Sequence, residues 1–101
     1  MINHISGEIT EKSPTHAVIE AGGVGYFINI TLNTYSKIAD KVKCKLITHL
    51  SIKEDAHTLY GFFEEEERHT FRLLISVNGV GANTARMMLS SLTSQEISTA
   101  I

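Results

Sequence analysis

A short glycine-containing segment is the part of the sequence whose residue types best fit a binding chemistry. Residues 76–85 read Ser-Val-Asn-Gly-Val-Gly-Ala-Asn-Thr-Ala, so Gly79 and Gly81 flank Val80. Glycine permits positive φ and carries no side chain, so another backbone can approach it closely. Amides that point outward from such a turn, next to the start of a helix, bind anions. We therefore predict a phosphate-binding turn formed by Asn78, Gly79, Val80, Gly81, Ala82, Asn83, Thr84 and Arg86.

A turn of this kind also joins two helices in proteins where it binds nothing. Two features favour the binding interpretation: Val80 can anchor between the helices, and the small Ala85 lets them cross closely. Such a helix–hairpin–helix holds DNA phosphates without reading base sequence. A nucleotide-binding loop is excluded, because no strand precedes the turn and no GxxxxGK[ST] motif occurs.

Glu54 and Asp55 form the other candidate site, since paired carboxylates can hold Mg²⁺ in a nuclease. Adjacent acids at a hairpin tip offer no enclosed octahedral site, and solvated acidic turn residues are common. The five histidines have no zinc-ligand spacing, and no nucleophile-elbow sequence supports a catalytic triad. We expect no catalytic residues, no metal and no cofactor. Aromatic residues could stack single-stranded bases, but most are expected in the core: Tyr26, Phe27, Tyr60, Phe62 and Phe63.

The elements that position these residues follow from the hydrophobic pattern. Residues 1–63 alternate in five short runs (1–13, 17–20, 26–32, 42–52 and 57–63), which predicts a closed five-stranded barrel of the OB type. Residues 33–41 connect two strands and have room for one helical turn. Residues 64–76 and 83–91 have helical spacing, and a capping box at residues 93–96 predicts a third helix. We expect a solvated glutamate run at 64–67 and a Glu64–Arg68 ion pair.

Composition fits a soluble globular chain that binds an anionic partner through one face. The 101 residues are 43% hydrophobic and 20% charged, and the net charge is −2. Residues 12–53 hold six lysines against two acids, whereas residues 54–67 hold six acids and no lysine or arginine. The single cysteine, the lack of a signal peptide and the lack of a membrane span predict a cytoplasmic protein. Because the predicted third helix has no stop signal before residue 101, we expect a fragment of a longer protein.

The order of barrel, acidic tip and helix–hairpin–helix resembles the RuvA family, the Holliday junction-binding subunits of bacterial branch-migration complexes. The resemblance covers essentially the whole chain. Its residues are Gly22-Gly23-Val24-Gly25-Tyr26, Lys53-Glu54-Asp55-Ala56, Leu59-Tyr60-Gly61-Phe62 and Asn78-Gly79-Val80-Gly81.

The resemblance implies a mainly β fold with α: an OB-fold domain I at residues 1–63 and a truncated helix–hairpin–helix domain II at residues 64–101. It implies a non-catalytic scaffold for recombination and repair that holds a four-way DNA junction open in a homotetramer. A C-terminal domain would contact the RuvB ATPase, and the RuvC resolvase is a further partner. Glu54 and Asp55 match the acidic pin, whose carboxylates repel phosphates at the crossover. The alternative is a generic single-strand-binding OB module.

The sequence departs from the family pattern immediately after the second glycine of the turn. Many members have Pro-Lys there, and this chain has Ala82-Asn83. A neutral Asn83 lacks the charge that a lysine places on a phosphate, so we expect weaker and less salt-sensitive contacts. Arg86, one turn along, is the residue that could replace that charge.

Overall fold

In the computed structural model, which describes residues 2–91, five strands form a closed barrel in the order β1-β2-β3-β5-β4. The strands are β1 (His4–Lys12), β2 (His16–Ala21), β3 (Val24–Ile30), β4 (Lys43–Lys53) and β5 (Ala56–Phe62). Neighbouring strands are antiparallel, except that β3 and β5 pair in parallel. The predicted OB-type barrel is confirmed.

Three helices accompany the barrel: α1 (Leu32–Ile38), α2 (Glu65–Ile75) and α3 (Ala82–Ser91). Helix α1 lies in the predicted connection and is longer than the single turn expected there. The prediction that Leu32 belongs to the third strand is wrong. Thr31 ends the extended segment, because its hydroxyl accepts a hydrogen bond from the Thr34 amide at 3.1 Å and caps the helix. The predicted third helix and Leu92 of the second helix's apolar face lie outside the described residues.

Two tight turns set the register of the hairpins. Ala21 pairs with Val24, so the β2–β3 turn consists of Gly22 and Gly23, whose φ angles are 60° and 81°. Positive φ at both central positions is the type I′ geometry that matches strand twist. The β4–β5 turn is formed by the two acidic residues described below.

The buried residues form two clusters that meet at β5. One fills the barrel, and it contains Ile5, Ala17, Ile19, Ile28, Ile30, Ile38 and Leu46. The other lies between the barrel and the last two helices, and it contains Tyr60, Phe62, Phe71, Leu74, Ala85 and Leu89. Because side chains alternate along a strand, Tyr60 and Phe62 face the helices while Gly61 faces the barrel interior. Barrel and helices therefore share a core across residue 63.

Polar contacts reinforce the junction between α2 and the barrel. The buried Arg68 donates to the backbone oxygens of Asn3 and Thr48 at 3.0 and 3.1 Å. Its ion pair is with Glu65 at 2.6 Å. The predicted Glu64–Arg68 pair is wrong, because Glu64 is the N-cap with extended backbone and lies off the helical face. Glu64 instead approaches Lys37 at 3.5 Å.

The four glutamates at the start of α2 have different environments. Glu65 is exposed at its surface ion pair, but Glu67 is only 3% exposed. The Glu67 carboxylate accepts hydrogen bonds from the hydroxyls of Thr31 and Thr34 and from the Asn33 side-chain amide, all on or beside α1. Burial raises the pKa of Glu67 despite these three donors. The prediction of a fully solvated glutamate run is therefore wrong at Glu67.

Candidate nucleic-acid interface

The connection between α2 and α3 is a compact turn with its backbone at the surface. After α2 ends, the Val80 amide donates to the Val77 carbonyl at 3.1 Å, which closes a four-residue turn. The Ala85 amide then donates to the Gly81 carbonyl at 2.9 Å and begins α3. Asn78, Gly79 and Gly81 are exposed. Because the first amides of a helix have no partner within it, this end of α3 presents donors to an outside acceptor.

Glycine occupies positions 79 and 81 of this turn for different structural reasons. Gly79 has φ 86°, a conformation that side chains rarely adopt, so the turn itself requires glycine there. Gly81 has no positive φ, and a Cβ added to it would meet no atom within 4 Å. The expectation of glycine for backbone conformation thus holds at Gly79 only. Nothing inside the described chain requires glycine at position 81, whereas close approach by an outside molecule would.

The turn is held against the protein by its apolar residues. Val80 and Ala82 are half-buried and pack on the second core cluster, which includes the fully buried Ala85. The anchoring position expected for Val80 and the close helix contact at Ala85 are both present. The exposed amides are consequently attached to a packed core rather than to a free loop.

The polar side chains in the first turn of α3 contact each other and the barrel. Arg86 donates from Nη2 and Nε to the Asn83 side-chain oxygen at 2.8 and 3.3 Å. Its Nη1 donates to the Ile30 backbone oxygen at the end of β3, at 3.3 Å. Thr84 is exposed on the same turn. Asn83 does not cap the helix, because α3 begins at Ala82 and the Asn83 side-chain oxygen accepts from Arg86.

The acidic pair forms the whole of the β4–β5 turn. Lys53 pairs with Ala56, so Glu54 and Asp55 are the two central residues, and both are exposed. They lie at the start of β5, whereas α2 follows its end. Seven strand residues at about 3.3 Å each separate these ends by roughly 20 Å. No hydrogen bond or ion pair among residues 2–91 joins the acidic turn to the glycine turn, so the structure shows no direct contact between the two candidate sites.

Several other candidate residues have structural partners. Tyr60 and Phe62 are buried, in agreement with their predicted core positions, whereas Phe27 is 55% exposed and stacks on His16. Lys12 donates to the Ile38 and Lys41 carbonyls at 3.3 and 2.9 Å, where it caps the end of α1. No three His, Cys, Asp or Glu side chains among residues 2–91 are grouped to hold a metal ion.

Comparison with known proteins places the chain in a family. A family model described as the RuvA N terminal domain matches residues 1–61, which make up most of the barrel. The chain belongs to the RuvA family. The resemblance drawn from the glycine and acidic motifs is confirmed.

Individual relatives match across the glycine turn as well as the barrel. A protein of Christiangramia forsetii is 58% identical over 101 residues, covering 100% of this chain and 52% of the relative. One of Flavobacterium psychrophilum is 55% identical with the same coverage, and one of Chromobacterium violaceum is 44% identical over 102 residues, with 52% of the relative covered. All three are named Holliday junction branch migration complex subunit RuvA. The chain thus spans about half the length of the curated relatives it matches.

Two residues that tie the helices to the barrel were not recognised from the sequence. Glu67 and Arg68 were interpreted as helix-surface charges, and the structure buries both. Apart from the Arg68–Glu65 ion pair, their partners lie 20 to 65 positions away, so local spacing contains no signal for the burial of these two residues. None of the helices described between residues 2 and 91 has the length and apolar character needed to cross a bilayer.

Proposed function

We propose that this chain is the junction-binding part of a Holliday junction branch-migration subunit and that it catalyses no reaction itself. The observation that carries the proposal is the 58% identity, over the whole chain, to a relative that bears this name. The barrel at residues 1–63 and the helical part at residues 64–101 would correspond to the family's domain I and the first half of domain II.

The glycine turn would bind the DNA backbone without reading sequence. Its exposed amides, the N-terminal end of α3 and the open space around Gly81 suit a phosphate oxygen that approaches from outside. The main chain would supply most of the grip, because position 83 carries no charge. The residues proposed to form or support this contact are Asn78, Gly79, Val80, Gly81, Ala82, Asn83, Thr84 and Arg86.

The acidic turn would act by repulsion. Glu54 and Asp55 are the exposed central residues of a two-residue turn, so their charges lie in solvent at the end of the β4–β5 hairpin. In an assembly of four subunits around a junction, these carboxylates would meet at the crossover and exclude paired, phosphate-rich duplex from the centre. The acidic turn and the glycine turn, which are separate turns of one chain, would thus contact different regions of the same junction.

The partners of the complete protein follow from the family and extend the proposal. The subunit would assemble as a homotetramer, and a C-terminal domain would deliver the junction to the RuvB ATPase that drives migration. The RuvC resolvase would act on the same junction during recombination and repair.

Competition binding tests the proposal directly. A labelled four-way junction, a linear duplex and a single strand of equal length are titrated with the protein at fixed salt. We expect the junction to be bound tightest. Excess unlabelled junction should displace the labelled junction from the protein, whereas excess unlabelled single strand should not. Preference for the single strand would contradict the proposal and favour a generic OB module, for which the exposed Phe27 is the available stacking residue.

The same junction incubated with Mg²⁺ tests the absence of catalysis. We expect the labelled strands to remain intact over hours. Cleavage by the wild-type protein that is lost on Glu54→Gln would contradict the scaffold role and assign the carboxylates to metal-assisted hydrolysis.

A further inference from the structure

The side chains of Asn83 and Arg86 link the start of α3 to the barrel. Arg86 directs two N–H groups to one Asn83 oxygen, at 2.8 and 3.3 Å, and a third to the Ile30 carbonyl at 3.3 Å. Ile30 is the last residue of β3 and is fully buried. The guanidinium therefore joins the α3 turn beside the glycines to the end of a barrel strand.

Neighbouring contacts hold the same side of α3 in place. One turn further along, the Ser90 hydroxyl accepts a hydrogen bond from the Leu32 amide at 3.1 Å, which joins α3 to the start of α1. Burial raises the pKa of Tyr60, and the positive charge of Arg86 opposes that rise. The half-buried guanidinium thus faces the barrel, and three of its five N–H groups are donated within the protein.

We propose that Arg86 is a positioning residue, which Asn83 orients and which fixes the glycine turn relative to the barrel, and that it does not itself neutralise a DNA phosphate. This inference rests on the proposed DNA contact of that turn. A planar guanidinium can serve two acceptors in fixed directions, whereas a lysine ammonium cannot hold the same fork. We call Asn83, Arg86 and the Ile30 carbonyl the latch. The latch explains why a neutral residue occupies position 83, because the Asn83 side-chain oxygen accepts from Arg86 and a lysine has no acceptor.

A direct phosphate contact and a positioning role predict different effects of salt. Each neutralised phosphate adds about one to the slope of log affinity against log salt concentration. Loss of a positioning residue weakens binding without changing the number of neutralised phosphates. Junction affinity is therefore measured across a salt series for the wild type, Arg86→Met and Arg86→Lys. The first variant keeps an unbranched apolar stem, and the second keeps the charge.

We expect both variants to weaken junction binding by about tenfold, the factor that corresponds to one lost charged hydrogen bond. The salt slope should stay within experimental error of the wild-type slope. Arg72→Met is the matched control, because Arg72 is exposed on α2, contacts His49 and lies outside the latch. It removes the same charge and should weaken binding less. Wild-type junction affinity in Arg86→Lys would overturn the positioning role. A salt slope reduced by about one in Arg86→Met, but not in Arg72→Met, would overturn it as well.

A measurement without DNA separates this inference from the proposed function. Hydrogen exchange of the Ala85 amide reports the first hydrogen bond of α3, to the Gly81 carbonyl. We expect Arg86→Met and Arg86→Lys to speed this exchange about tenfold while Arg72→Met leaves it unchanged. If the wild type shows no preference for the junction but Ala85 exchange is faster in the Arg86 variants, the proposed function fails and the positioning role of Arg86 is supported. If the junction is bound and the exchange does not respond, the latch is wrong.

Discussion

The Thr34 hydroxyl lies 2.8 Å from the Glu67 carboxylate, although the two residues are 33 positions apart. Thr34 belongs to α1, which follows β3, and Glu67 belongs to the first turn of α2. The same hydroxyl accepts a hydrogen bond from the Phe63 amide at 3.2 Å. One threonine side chain thus connects the chain just after β5 to a buried carboxylate, at the point where barrel and helices meet.

The pH dependence of stability should reveal this buried carboxylate. Burial raises the pKa of Glu67 above its unfolded value, so the folded protein binds this proton more tightly than the unfolded chain does. Its contribution is fully present below the unfolded pKa of about 4.5 and is lost as pH rises through the raised folded value. Compared with the wild type, Glu67→Gln should therefore gain relative stability as pH rises from 4 to 7.

Urea unfolding of the two proteins at several pH values measures that difference. Glu66→Gln is the control, because Glu66 is an exposed neighbour in the same turn. Its difference from the wild type should depend on pH far less. A Glu67→Gln difference that is constant with pH, or that moves in the opposite direction, would contradict the burial of a charged carboxylate.

The two glycines of the α2–α3 turn should respond differently to alanine. Gly79→Ala places a Cβ at φ 86° and should cost about 1–2 kcal/mol of unfolding free energy. Gly81→Ala meets no neighbouring atom and should leave stability within about 0.5 kcal/mol. The second variant should nevertheless lose junction affinity by several-fold, because the added methyl lies where a phosphate would approach. Thermal unfolding and junction titration check both quantities; unchanged affinity in Gly81→Ala would remove the main-chain contact from the proposed site.

Gly61 should be intolerant of substitution for a reason internal to the barrel. A Cβ there would lie 2.5 Å from Ile28 Cγ2 and 3.2 Å from Leu46 Cδ1, both in the packed interior. Gly61→Ala should cost about 1–3 kcal/mol through overpacking. Gly25→Ala is the control on a barrel strand, since its Cβ would make only an ordinary 3.4 Å contact with Val18. Equal unfolding free energies for the two variants would mean that the barrel interior at Gly61 is looser than described.

Neutralising the acidic turn should change DNA preference without changing the fold. The double variant Glu54→Gln and Asp55→Asn keeps side-chain size at two exposed positions, so stability should stay within about 0.5 kcal/mol. Loss of repulsion should raise the affinity for linear duplex more than the affinity for the junction. The ratio of duplex affinity to junction affinity should rise by a few-fold. The double variant Glu8→Gln and Glu20→Gln also removes two negative charges, at exposed positions paired across β1 and β2, and controls for net charge. An identical ratio in the acidic-turn variant and the control would remove the proposed role of the turn.

The sequence pattern predicted the barrel because burial alternates along its strands. In β2 and β3 the buried residues are separated by single exposed or half-buried ones, and this alternation is the signal that identifies a strand. The same signal extended the third strand two residues too far, to Leu32, although the Thr31 cap ends the extended backbone before it. Alternation reports which residues are apolar, whereas the cap hydrogen bond determines where the strand ends.

The sequence identified the residues of the candidate site but only some of the contacts between them. Glycines at 79 and 81 and the acids at 54 and 55 identify themselves by type and by the turns they form. Asn83 and Arg86 are three positions apart in α3, so helical spacing alone brings them together, whereas the Arg86 contact with Ile30 depends on how α3 is placed on the barrel. Contacts over 56 positions require the folded structure, because no periodicity connects residues so far apart.

The core that barrel and helices share has a mechanical consequence. Tyr60 and Phe62 on β5 pack against Phe71 on α2, with ring centres 5.2 and 5.0 Å apart. If DNA binds at the glycine turn as proposed, a force on that turn would pass through these rings into β5, the strand that begins at the acidic turn. Barrel and helices would then move as one body, so tension on a bound DNA arm would also shift the position of the acidic turn.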